Sequence, residues 1–252
     1  MTPSEAEGRV RIQRALARAG VASRRRADDL VAAGRVRVNG AVAIVGQTVD
    51  PSRDQISIDG TDIRLPAKTE WLLLHKPPGV LTTARDETGS GRRTVFDLVP
   101  PALRGPGLTY VGRLDYMTEG VLLLTTDGAA AHRLTHPSHG IERTYVVTVR
   151  GNAARAVRML ERGVDLDDGP VRPVGVRTRP VGARRWELEL TLTEGRTREV
   201  RRVCEAVGLT VERLVRTRFG PVELGTLASG SVRPLTTAER RQLEATGRGA
   251  EA

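Results

Sequence analysis

A chain of 252 residues that is 39% hydrophobic and 28% charged can bury one large domain or two unequal ones, and is not a disordered polyelectrolyte. Aromatic residues make up only 3%, so Val, Leu, Ile and Ala have to build the core. A net charge of +10 asks for a polyanionic partner, nucleic acid or an acidic membrane surface.

In chain order, residues 1–8 are polar and read as a frayed tail, without the apolar stretch of a signal peptide. Residues 9–60 read as a compact unit. Val10, Ile12, Leu16, Ala19 and Val21 have the spacing of one helix. Ser23 is placed to cap a second helix from Arg24 to Ala33, which Gly34 ends. Residues 35–40 alternate and finish in Asn39-Gly40, a strand entering a tight turn. Short strands are expected at Ala43–Val45 and Gln55–Ile58. Nine arginines fall between residues 9 and 40 against two acids, Asp28 and Asp29. A solvated face normally intersperses its charges, so this +7 segment is expected to bind RNA phosphates. Arg11, Arg14, Arg24, Arg25, Arg35 and Arg37 are the candidates.

Residues 61–69 read as a linker. From residue 70 to 246 strands alternate with helices. Strands are expected at 71–75, 109–113, 120–125, 143–150, 171–178, 185–193, 211–217 and 221–224, and helices at 94–99, 128–135, 152–162, 196–207 and 237–245. Strand runs with hairpin-like returns point to an α+β fold with a mainly antiparallel mixed sheet. Residues 246–252 read as a second tail. Cys204 is the single cysteine, so no internal disulfide forms, and no apolar run approaches the roughly 20 residues that span a bilayer. A cytoplasmic monomer with no membrane contact is the expectation.

The chemistry concentrates in one segment, Val111-Gly-Arg-Leu-Asp115-Tyr-Met-Thr-Glu-Gly120, followed by Val-Leu-Leu-Leu-Thr-Thr-Asp-Gly128. A carboxylate at the mouth of a buried strand is held in place for catalysis. A loop aspartate more often caps a turn, and the residues alone leave both readings open. Asp115 and Glu119 could form a hydrolase-type carboxylate pair, which the basic charge disfavours. His132, His136 and His139 have the spacing of a zinc site. Pro137 ends their helix and no acid completes the set, so neither metal nor cofactor is expected.

The run Gly112-Arg113-Leu114-Asp115-x-x-Thr118-x-Gly120-x-Leu122-Leu123-Leu124-x-x-Asp127-Gly128 resembles the signature of the pseudouridine synthases that modify ribosomal RNA. Other blocks agree in order: His75-Lys76-Pro77-Pro78-Gly79, His136-Pro137 leading to Arg143-Thr144-Tyr145, Glu194 through Arg202, and Leu214 through Pro221 with Leu224-Gly225. Residues 9–56 are similar to the S-four-type RNA-binding domain, named after a ribosomal protein. The resemblance implies that a uridine of ribosomal RNA, with the large subunit favoured, is isomerised to pseudouridine without metal or cofactor. It gives Asp115 the nucleophile's role and Tyr145 that of stacking on the base. It has Arg201, or alternatively Arg198, pair with Asp115. It sends Arg113 into the gap left by the flipped uridine and Lys76 to phosphate. Two positions depart from the common pattern, Glu199 where many members have Gln and Arg143 where Lys is usual. The competing reading is a non-catalytic rRNA-binding assembly factor with a degenerate synthase domain.

Overall fold

The computed structural model describes residues 9–65 and 69–246. Residues 1–8, 66–68 and 247–252 lie outside the described residues, and with them both expected tails and the centre of the expected linker. The chain forms two compact units: one holds the N-terminal segment through Glu70 with Pro101–Thr109 and Thr125–Gly128, the other holds the rest.

In the first unit, β1 (Val10–Arg11) runs directly into α1 (Ile12–Arg18), and α2 spans Arg24–Ala32. The expected first helix is therefore shorter: Val10 pairs with Val49 of β4 (Thr48–Val49), and Gly20, at φ 73°, lies past the helix end. Ser23 caps α2 as expected, its Oγ accepting from the Arg26 amide at 3.3 Å. A four-stranded sheet follows in the order β3-β2-β5-β6, from β2 (Val36–Val38), β3 (Ala41–Val42), β5 (Ile56–Ile58) and β6 (Thr61–Ile63). Asn39 and Gly40 turn between β2 and β3 with φ of 51° and 84°, the left-handed pair that an Asn-Gly hairpin requires. The strand expected at Ala43–Val45 ends instead at Val42. There the Ile44 amide is taken by the Gln47 side chain at 3.0 Å, and the chain turns through Gly46. Residues 61–63, read as linker, pair with β5 because Ile63 sits across from Ile56 on the core side. Ile12, Leu16, Val36, Val49 and Ile56 fill this core.

The second unit is built on a mixed sheet ordered β13-β14-β10-β15-β9-β7-β17. Its strands are β7 (Trp71–Lys76), β8 (Thr109–Val111), β9 (Glu119–Thr125), β10 (Arg143–Arg150), β13 (Gly175–Gly182), β14 (Arg185–Leu192), β15 (Thr210–Phe219), β16 (Val222–Glu223) and β17 (Val232–Pro234). β8 pairs with β9 and β16 with β15, while β11 (Val164–Leu166) and β12 (Gly169–Val171) form a separate ribbon. The strand expected over 171–178 is broken after Val171; Pro173, which has no amide hydrogen to donate, lies in the break. Most pairings are antiparallel, but β9 runs parallel to β15. All seven residues of β9 are buried, the pattern of a strand covered on both faces. α4 (Ala153–Arg162) and α5 (Glu199–Ala206) close one core with Val147, Leu188, Leu190 and Leu214. α3 (Gly128–Thr135) and α6 (Thr237–Thr246) close another with Trp71, Leu73, Val121 and Leu123. The expected helix at 94–99 is a 3-10 turn, and no helix among the described residues is long and apolar enough to cross a membrane.

Candidate active site

Asp115 lies on the turn between β8 and β9. Gly112, at φ 67°, starts this turn. The buried Leu114 is fixed at its carbonyl by the Thr82 hydroxyl, at 2.8 Å. The Asp115 carbonyl accepts from the Thr118 amide at 3.0 Å, and the Tyr116 carbonyl from the Gly79 amide at 2.9 Å.

Lys76 completes the scaffold, which corrects its expected role. Its side chain is 0% exposed, and Nζ donates to the carbonyls of Pro77, Tyr116 and Thr118 at 3.0, 3.1 and 2.9 Å. All three ammonium donors are used, so none is left for phosphate. Burial pushes this amine down to about 8, against the pull of Asp115 and Glu119, so it remains charged at neutral pH. Lys76→Met is expected to leave three loop carbonyls without their donor. The expected cost is about 3 kcal/mol of stability with a matching loss of activity, read by denaturant melts beside an activity assay.

A pocket of about 340 Å³ opens beside Asp115. The Asp115 turn contributes Arg113 and Thr118, β10 contributes Arg143 and Tyr145, and β15 contributes Leu214, Arg216 and Phe219. The segment entering α5 adds Arg196, Arg198 and Glu199. Alternation along each strand sends Arg143 and Tyr145, or Leu214 and Arg216, to the same face. Arg198 adopts φ 51°, a left-handed conformation uncommon for a residue with a Cβ, and α5 therefore starts at Glu199 rather than at 196.

The expected ion pair of Asp115 with an arginine is not formed. Asp115 makes no salt bridge among the described residues. Arg201, the third residue of α5, does not line the pocket; its Nη2 reaches the Met117 carbonyl at 3.5 Å. Arg198 does line it. Arg113 is exposed at its edge, and Tyr145 is buried in its wall.

Two buried cations that the residue-level reading left without a role sit in this wall. Arg143 donates to the carbonyls of Ile141 and Thr193, both at 2.9 Å. Arg216 is 2% exposed and donates Nε to the Val121 carbonyl at 2.8 Å. Both guanidiniums lie over the Phe219 ring, at 5.3 and 5.2 Å, and neither forms a salt bridge among the described residues, although the Glu199 carboxylate acts on Arg143 at longer range. Burial pulls the Arg143 guanidinium below its ordinary range. Three buried polar atoms of pocket residues have no hydrogen-bond partner: Thr118 Oγ1, Arg216 Nη2 and Glu199 Oε1, the last lying 4.0 Å from Arg196 Nε. A buried polar atom without a hydrogen bond is costly, and these three line a cavity that a polar ligand could enter. The signal for Arg216 in the sequence was its place two residues after Leu214 on an alternating strand.

Glu199, one of the two departures from the common pattern, is not a surface acid. It is buried, Oε2 accepts from the Arg196 amide at 3.3 Å, and burial raises its carboxyl. The carboxylate-pair reading fails on Glu119, whose two oxygens are held by Arg213 at 2.9 and 2.8 Å and which does not line the pocket. The rings of His132, His136 and His139 are spaced 5.9 and 6.2 Å apart. No group of three metal-ligating side chains suited to an ion is found among the described residues. Cys204 is buried, and burial pushes its thiol up to about 12.

The arginines of the first unit divide by their partners. Arg35 is committed to Asp59, with Nε at 3.0 Å from Oδ1, so its charge is already compensated. Arg11 and Arg37 donate to the carbonyls of Gly46 and Gly40 at 3.2 and 2.8 Å, and Arg14 is half-buried. Arg24 and Arg25 are exposed on the first turn of α2 and have no partner among the described residues. Replacing both with Ala is expected to leave folding intact and to make the salt dependence of RNA affinity shallower by about 1.5 in log–log slope. Filter binding across a salt series checks this, and an unchanged slope would remove α2 from the interface.

Comparison with known proteins agrees with this geometry. Residues 70–206 match the family described as RNA pseudouridylate synthase, and residues 10–56 match the S4 domain. An uncharacterized RNA pseudouridine synthase of Mycobacterium leprae is 44% identical over 239 residues, 94% of this chain and 93% of its own. The ribosomal large subunit pseudouridine synthase B of Salmonella typhimurium is 45% identical over 221 residues, 85% of this chain and 75% of its own. A crystal structure of a pseudouridylate synthase superposes with a TM-score of 0.62 at 28% identity, over 93% of this chain and 99% of that one. With an S4 domain in front of a synthase sheet that carries Asp115 at the mouth of β9, the chain belongs to the RNA pseudouridylate synthase family.

Proposed function

We propose that this enzyme isomerises one uridine of large-subunit ribosomal RNA, with Asp115 as the nucleophile. The observation that carries the reading is an aspartate that forms no salt bridge among the described residues, facing a pocket whose wall holds two buried guanidiniums that form none either. Relatives named as large-subunit synthases at about 45% identity support the class of RNA. In the proposed reaction the Asp115 carboxylate bonds to the ribose anomeric carbon as the glycosidic bond to uracil N1 breaks, and the bonding pair leaves with the base. The base turns, carbon-5 bonds to the anomeric carbon and expels Asp115, the carbon-5 proton is removed to restore the ring, and N1 takes up a proton in its place. No atoms or electrons are gained or lost overall. Covalent capture splits one difficult substitution into two easier ones. Arg143 and Arg216 face the charge that develops on the departing uracil, where a buried donor is worth most. Tyr145 stacks on the base, Arg113 fills the place of the flipped nucleotide, and Arg198 or Arg201 moves onto Asp115 when RNA is bound.

The test is pseudouridine mapping of ribosomal RNA from a strain lacking this protein. One large-subunit position is expected to lose its modification and to regain it with the wild-type gene but not with Asp115→Asn. A lost site confined to small-subunit or transfer RNA would overturn the assignment of the RNA.

A further inference from the structure

Tyr116 and Arg92 form an exposed pair one residue from Asp115 that the reaction chemistry does not use. The Arg92 guanidinium lies 5.6 Å from the centre of the Tyr116 ring, and both side chains are 39% exposed. The partners of each are fixed. The Tyr116 backbone is held by Lys76 and Gly79, so its ring is tied to the same scaffold as the Asp115 carboxylate.

Arg92 ends a loop whose base is closed by the Leu81 amide on the Arg93 carbonyl, at 2.9 Å, and the Val95 amide on the Leu81 carbonyl, also at 2.9 Å. Asp86 organises the interior. It accepts from the Thr88 amide and hydroxyl, the Ser90 hydroxyl and the Arg92 amide, at 3.1, 2.5, 2.8 and 3.1 Å. Those hydroxyls hold its carboxyl well below the usual range. The loop in turn aims Arg92: Nε donates to the Ser90 hydroxyl at 2.7 Å and Nη2 to the Thr88 hydroxyl at 3.0 Å. Nη2 also lies 3.9 Å from Asp86 Oδ1, a long ion pair that compensates the charge in part, and Nη1 has no partner among the described residues. Two edges of the guanidinium are thus used to orient it and one remains for a ligand. An arginine already immobilised loses little further freedom on binding, which favours recognition of a phosphate.

We propose that Arg92, braced by the Asp86 loop and the Tyr116 ring, binds through Nη1 a backbone phosphate flanking the target uridine and sets that nucleotide's register over Asp115. The inference rests on the reading that Asp115 reacts with that uridine. Arg92 is on this account a positioning residue, and its effect falls on binding.

The experiment uses the full-length enzyme and a synthetic stem–loop carrying the mapped uridine. Each phosphate within three positions of the target is replaced in turn by an uncharged methylphosphonate. Arg92→Ala is expected to raise KM about tenfold with kcat within threefold, and to reduce the log–log salt slope by about 0.8. One methylphosphonate position is expected to weaken wild-type binding by the same factor and to cost Arg92→Ala nothing. Arg92→Lys keeps the charge without the planar fork and is expected to fall between the two. Asp86→Ala is expected to weaken binding in the wild type and to add nothing in the Arg92→Ala background. If every methylphosphonate costs both proteins equally, or if Arg92→Ala lowers only the melting temperature, Arg92 is a loop brace and the proposal is overturned. All the binding readouts are independent of turnover. An active Asp115→Asn enzyme would sink the pocket reading, whereas a dead one with no Arg92 coupling would sink only this inference.

Discussion

Asp115→Asn is expected to abolish pseudouridine formation, by more than about 10³-fold in kcat, while RNA affinity and melting temperature stay near wild type. The structure makes this a clean substitution. The Asp115 side chain holds no salt bridge and no hydrogen bond among the described residues, and the turn is fixed by its backbone and by Lys76, Thr82 and Thr118. Asn has nearly the same volume, so the turn keeps its support. A carboxamide cannot supply the nucleophilic oxygen that displaces uracil. Single-turnover tritium release or mass mapping, beside a thermal melt and a binding isotherm, separates chemistry from folding. Turnover within tenfold of wild type would rule out covalent catalysis by this residue. A large drop in melting temperature would instead show a structural aspartate, the reading that the residues alone had left open.

The fold was legible in the sequence wherever a single periodicity ran long enough to average out exceptions. The strand 143–150 and the helix 128–135 lie where spacing placed them, and Ser23 caps the helix it was placed to cap. The errors have local causes that side-chain patterns do not carry. The strand at 43–45 was lost to a glutamine side chain competing for a backbone amide. The helix at 196 was shortened by one left-handed arginine. Of the candidate site, the carboxylate and the tyrosine were named from the sequence, and both line the pocket. The partners of its cations were not legible, because pairing depends on what lies across the sheet. Lys76 looked like a phosphate ligand and is a buried brace. Arg216 was given no role of its own within the block 214–221 and lies in the pocket wall. Charge counts could not separate Arg24, which has no partner among the described residues, from Arg35, which is spent on Asp59 twenty-four residues later.

Gly120→Ala is expected to be the most damaging small substitution in the synthase sheet, although it adds one methyl group. Gly120 sits opposite Arg216 where β9 runs parallel to β15, a pairing of only two residue pairs. A Cβ on Gly120 would stand 2.1 Å from the Arg216 carbonyl oxygen and 2.7 Å from its amide nitrogen. Both obstacles are backbone, which cannot rotate away. The φ of 109° adds strain for any L-residue with a side chain. The strands must part, and with them the Arg216-to-Val121 hydrogen bond and the wall of the pocket. A loss of about 4 kcal/mol or more is expected, or about 10 °C in melting temperature, with activity falling further than stability. Gly128→Ala is the matched control. It belongs to the same signature run and opens α3, but its Cβ would meet nothing within 4 Å and its φ is not in the left-handed region. That variant is expected to change stability by less than about 0.5 kcal/mol. Equal melts for the two would show that β9 and β15 are not in close register. The expected contrast would assign the Gly120 position of the signature to a backbone contact that sets where Arg216 stands relative to Asp115.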